Sequence, residues 1–201
     1  MSTGRVLLAG VIAGIALFFW MAIVHVATGV AAIGVSELPN ESAVLNALTA
    51  NQTPAGFYIF PGYGAPPNAT PEQKKAAQAA YGQRYAKLPS GIMVYTPPNG
   101  QTNPMPPSRL LSELALEIIE AFLVVWLLDR ATLRSFGARV AFAAVIGIVV
   151  GITTNGSYYV WYNFPANYTV VQIFSQVVGF AIVGVVGALF MRQKSAIAAR
   201  A

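Results

Sequence analysis

Four stretches of the chain are apolar and long enough to cross a bilayer, each supplying the roughly 20 residues that a 30 Å hydrocarbon core requires. They fall near 6–30, 110–128, 139–158 and 170–191. The first follows Arg5 much as a secretory signal would. Its apolar run continues past Val26, beyond the reach of a signal sequence, which predicts a retained anchor. Small residues recur four apart at Gly10/Gly14 and Gly147/Gly151, a spacing that lets helix backbones approach closely within one bundle.

The stretch between the first two spans, 31–109, has a different pattern. Pro39-Asn-Glu41 opens a short helix with Val44, Leu45 and Leu48 on one face and Asn40 as its N-cap. Phe57-Tyr-Ile-Phe60 reads as a strand halted by Pro61-Gly62. Thr70-Pro-Glu-Gln73 combines a capping box with proline at the first helical position and starts a helix running to about Lys87. Ile92-Met-Val-Tyr95 forms a second strand closed by Pro97-Pro-Asn-Gly100. Two strands under a helix, of undetermined relative direction, make a small α/β insert. The fold class is thus a membrane all-α protein: a four-helix transmembrane bundle (1–30 and 110–201) with an extracytoplasmic α/β insert (31–109) between the first two spans.

Composition supports this class, because 56% of the 201 residues are hydrophobic and 9% are charged. Positive residues orient the spans. Arg5, then Arg130, Arg134 and Arg139, then Arg192, Lys194 and Arg200 flank one side, while the loop from Asn155 to Asn167 carries no charge. Both termini are expected in the cytoplasm, with the insert and the 155–168 loop outside. The net charge of +5 comes from isolated Lys and Arg rather than a basic patch with interleaved aromatics, so no nucleic-acid partner is expected. Cysteine is absent, which excludes disulfides and thiolate metal or redox sites.

Chemistry concentrates on the second span, where Glu113, Glu117 and Glu120 follow the i, i+4, i+7 spacing that stacks side chains along one stripe of a helix. Counted from Arg109, Glu120 lies roughly 16 Å into the span, near the bilayer midplane. Ionisable groups at such depth normally face a bundle interior or a hydrated cavity. The same count puts His25, Asn155, Gln172 and Gln176 in the outer parts of the other three spans, so a polar pocket open to the outside and closed below is expected. Three readings of that pocket stay open: a hydrated structural vestibule, a site for a small polar ligand, cation or proton, and a metal site using Glu117, Glu120 and His25. The last has poor ligand geometry, since two carboxylates share one helix and the Glu-x-x-His pattern of di-iron bundles is missing. Neither catalytic residues nor a cofactor can be assigned: Gly-x-Ser-x-Gly, His-Glu-x-x-His and phosphate-binding glycine loops are all absent. Tyr158-Tyr-Val-Trp-Tyr162 and Phe164 read as an interfacial aromatic belt.

Ser36-Glu-Leu-Pro-Asn-Glu41 after a span holding Trp20 and His25, followed by Gly56-Phe-Tyr-Ile-Phe-Pro-Gly62, Gly91-Ile-Met-Val-Tyr95 and Trp161-Tyr-Asn-Phe-Pro165, resembles a group of uncharacterised bacterial four-span inner-membrane proteins. The resemblance implies a multi-pass setting in the bacterial plasma membrane and no particular activity. The function expected is that of a non-enzymatic accessory or binding protein, its partners being the lipid bilayer, a protein docking on the insert, and a small polar ligand or cation. The alternative is a small transporter or proton- or cation-coupled carrier using the intramembrane glutamates.

Overall fold

The computed structural model describes the backbone of residues 1–198 and side chains through Met191; Arg200 of the predicted positive flank lies outside the described residues. The chain divides into two compact units, one formed by Met1–Ser36 with Asn103–Ala201 and the other by Glu37–Thr102.

The first unit is a helical bundle of α1 (Thr3–Ala22), α4 (Pro107–Arg130), α5 (Phe136–Gly151), α6 (Ser157–Tyr162) and α7 (Ala166–Ala198). Its core is assembled from stripes at helical spacing: Val6, Ala9, Ala13 and Leu17 of α1, Ala121, Val124, Val125 and Leu128 of α4, Ala143 of α5, and Phe180 and Val183 of α7. Helix α1 packs along α4 and α5 along α7, with α7 also touching α1 and α4. Glycine makes both pairings possible. A Cβ at Gly14 would sit 2.5 Å from the Cα of Ile118, and one at Gly147 would sit 2.8 Å from the carbonyl oxygen of Gln176, so no larger residue fits without separating the backbones. At the far end of the α1–α4 pair the Met1 ammonium pairs with the Asp129 carboxylate.

Among the described residues, three helical stretches are long and apolar enough to cross a membrane: Thr3–Ala27, Phe136–Tyr162 and Ala166–Met191. This marks the chain as membrane-embedded. Helix α4 has 24 residues, about 36 Å at 1.5 Å per residue, but its carboxylates set it apart from those three. Two of the apolar stretches carry a π-helical turn, Ile23–Ala27 after α1 and Ile152–Gly156 between α5 and α6. The second continues the helix where a loop from Asn155 is expected, and the non-helical link to α7 shrinks to residues 163–165. Asn163 takes the left-handed conformation there (φ 55°), which asparagine tolerates better than most residues.

The second unit contains α2 (Glu41–Ala50), β1 (Gly56–Phe60), α3 (Pro71–Lys87) and β2 (Gly91–Tyr95). The strands pair antiparallel with Phe57 opposite Val94 and Ile59 opposite Ile92. The capping box forms as predicted: the Gln73 N–H donates to Thr70 Oγ1 (3.3 Å), and the Thr70 N–H donates to the Gln73 side-chain oxygen (2.9 Å). Asn40 precedes α2 but does not cap it. It adopts a left-handed conformation (φ 53°), and its side-chain oxygen accepts from the Ser42 hydroxyl instead of a helical N–H. No residue of α3 is buried. The helix is tied to the loop after β1, through Tyr81 stacked 4.6 Å from Tyr63 and Arg84 Nε donating to the Gly62 carbonyl.

Candidate functional site

The three glutamates of α4 occupy different environments. The core-facing stripe of this helix runs through Ala121, Val124, Val125 and Leu128, and Glu117 lies on it, 5% exposed. One of its carboxylate oxygens, Oε2, is buried without a hydrogen-bond partner among the described residues. At 100° per residue Glu113 and Glu120 lie about 40° and 60° to one side of Glu117, past the edge of the packed face, and both are exposed. A stripe that reads as one line in sequence is therefore split by the helix contacts.

Glu113 and His25 line one cleft of about 240 Å³ between the end of α1 and the start of α4, with apolar walls that include Phe18, Met21, Val26 and Leu110. His25 sits in the first π-helical turn, where Nδ1 donates to the Met21 carbonyl (2.9 Å) and leaves Nε2 as the second polar atom of the ring. The wider turn is held by Thr28, whose hydroxyl donates to the carbonyls of Ile23 and Val24. A cleft with a carboxylate, an imidazole and mostly hydrocarbon walls suits a ligand that has both an apolar body and a positive charge.

The other candidates sit elsewhere. Asn155, in the second π-helical turn, donates to the Gly151 carbonyl of its own helix (3.3 Å). Gln172 and Gln176 are half-buried on α7, and Gln176 lies where α7 approaches Gly147 of α5. Between α1 and α7 the polar contact comes from residues outside the expected pocket: Trp20 Nε1 donates to the Ser175 carbonyl (2.9 Å), and the buried Ser175 hydroxyl donates to the Val171 carbonyl. Among the described residues no three His, Asp or Glu side chains converge on a point where they could hold a metal ion. The aromatic residues of α6 stack locally, Tyr158 lying 5.2 Å from Phe164 and 5.8 Å from Tyr162, with Trp161 78% exposed. Outside the bundle, Glu72 in the first turn of α3 is held below the usual carboxylate range by its own backbone N–H and then by the Thr70 hydroxyl.

Three helical stretches apolar enough to cross a membrane, with a carboxylate-bearing helix packed against them, define a small helical membrane protein with a second unit inserted in its sequence. Residues 78–187 match a family described as a protein of unknown function, DUF1761, and the chain belongs to that family. The matched residues hold all three glutamates, whereas α1 and His25 precede them. No curated protein and no solved structure matches the chain.

Proposed function

We propose that this protein is a four-span, non-enzymatic binding protein of the bacterial inner membrane, with α4 as its second span and both termini in the cytoplasm. The Met1–Asp129 pair supports that topology by holding the start of α1 beside the end of α4, at the end flanked by Arg5, Arg130 and Arg134. The ligand is a small organic cation that enters the α1–α4 cleft from the outer side. The observation that carries this reading is the meeting of Glu113 and His25 in a cleft whose remaining walls are apolar. The carboxylate supplies the countercharge, and Phe18, Met21 and Leu110 cover the hydrocarbon body of the ligand.

A carrier reading rests on a separate observation, the orphaned Oε2 of Glu117. A binding protein needs only the cleft, which that oxygen does not line, so binding is the better-supported function.

Tetraethylammonium is a suitable probe. In mild detergent it raises the melting temperature of the wild-type chain above that seen with sodium at equal ionic strength, and Glu113→Gln removes the difference while leaving the unliganded melting temperature within about 2 °C, as expected for an exposed position. An equal rise in wild type and Glu113→Gln, or no rise in either, overturns the assignment.

A further inference from the structure

Glu120 is out of keeping with the surface around it. Glu113, Leu116, Glu120, Leu123 and Leu127 follow one another in alternating steps of three and four along α4, the spacing of a seam that packs against another helix. All five are exposed, the leucines by 56%, 50% and 39% in chain order. The neighbouring face of α4, from Glu117 to Leu128, is already packed within the bundle. In the four-span reading, on which this inference rests, the seam faces hydrocarbon. Leucine is at home there. A carboxylate about 20 Å from one end of the helix and about 15 Å from the other is not. Neither Glu113 nor Glu120 has an ion-pair partner among the described residues.

We infer that this seam docks a transmembrane helix of a partner protein that carries a Lys or Arg opposite Glu120 and apolar side chains against Leu116, Leu123 and Leu127. Charge complementarity favours this occupant over a second copy of the chain. Two copies related by an axis along the membrane normal would set Glu120 against Glu120 and Glu113 against Glu113, like charge on like charge in a medium that screens poorly. A basic residue removes the cost of the carboxylate and has its own removed in turn.

The test uses the full-length chain with Leu123→Cys, which introduces its sole cysteine. It is co-expressed with a leucine-rich test helix bearing one mid-membrane Lys and a cysteine three residues away, and disulfide formation is read after mild oxidation. Cross-linking to the Lys helix should exceed that to an all-leucine helix by roughly tenfold, the effect of an interhelical polar contact of one to two kcal/mol in a membrane. Glu120→Gln should reduce it to the all-leucine level with an unchanged melting temperature in detergent. Equal cross-linking to both helices overturns the proposal, as does a Leu123→Cys homodimer that forms without any test helix. Single cysteines at Ser90 and Ser135 separate the two levels of the argument. Labelling of both from the same side of the membrane means that α4 does not cross, and the four-span reading falls too. Labelling from opposite sides without Lys-dependent cross-linking overturns the docking seam alone.

Discussion

Ala13, Val125, Ser175 and Val183 of the helical unit are fully shielded, whereas in the unit of 37–102 the buried residues are Pro61 and Ala69 and neither helix buries a side chain. The first unit is held by contacts between distant parts of the chain, with backbones drawn together at glycine. The second is held by local bonds: a capping box, a five-residue antiparallel ladder and a few stacked tyrosines. The second unit is poorer in hydrophobic residues than the first, but their arrangement differs as well. What differs is whether apolar residues recur at the spacing of a helix face and meet small residues on another helix, as they do in α1, α4 and α7, or lie on strands too short to enclose anything.

The sharpest way to break this contrast is to make one substitution in each unit. Gly14→Ala places a Cβ 2.5 Å from the Ile118 backbone and should destabilise the bundle by about 2 kcal/mol or more, read as a lower melting temperature and loss of monodisperse protein in detergent. Gly82→Ala, in the middle of α3 with nothing within 4 Å of the added methyl, should stabilise that helix by about 0.5–1 kcal/mol. A stabilising effect at both positions would mean that the close approach of α1 and α4 is absent.

A smaller effect sharpens the description of the second unit. Removing the cap by Thr70→Ala should cost α3 about 1 kcal/mol and speed amide exchange within 74–86, with exchange in α1 and α7 unchanged. Unchanged exchange in α3 would show that tertiary contacts, not the cap, hold the helix.

The smallest effect is electrostatic. Because the folded chain holds the Glu72 carboxyl below its usual range, the ionised form is the one that favours folding. Its contribution is complete above that range and is lost as pH falls through it. Amide protection in the first turn of α3 should therefore decline on acidification in wild type and stay flat in Glu72→Gln. A decline of equal size in both would assign the effect to another group.

Much of this architecture could be read from local patterns. The α3 helix begins at Thr70 because Thr, Pro and Gln at fixed offsets satisfy the first backbone N–H groups without help from elsewhere, and both strands fall within a residue of where β-branched and aromatic runs meet proline and glycine. The glycine pairs of α1 and α5 likewise mark helix contacts within the chain. Asn40 was the local signal that misled, since its side chain bonds to Ser42 and the backbone turns left-handed there.

Helix positions and the angular placement of the glutamates around α4 follow from residue spacing, because 1.5 Å and 100° per residue hold whatever surrounds the helix. Which glutamate is covered does not follow from it. Glu113, Glu117 and Glu120 differ by only about 40° to 60° around α4, and the boundary between packed and open surface falls inside that interval according to where Ile118 and Phe122 meet Gly14 and Gly10. The cleft that joins His25 to Glu113 depends in the same way on a π-helical turn and on the antiparallel pairing of α1 with α4. The exposed 113–116–120–123–127 spacing was present in the sequence, but its meaning depended on knowing that the bundle leaves that side of α4 open, a matter of contacts between segments about a hundred residues apart.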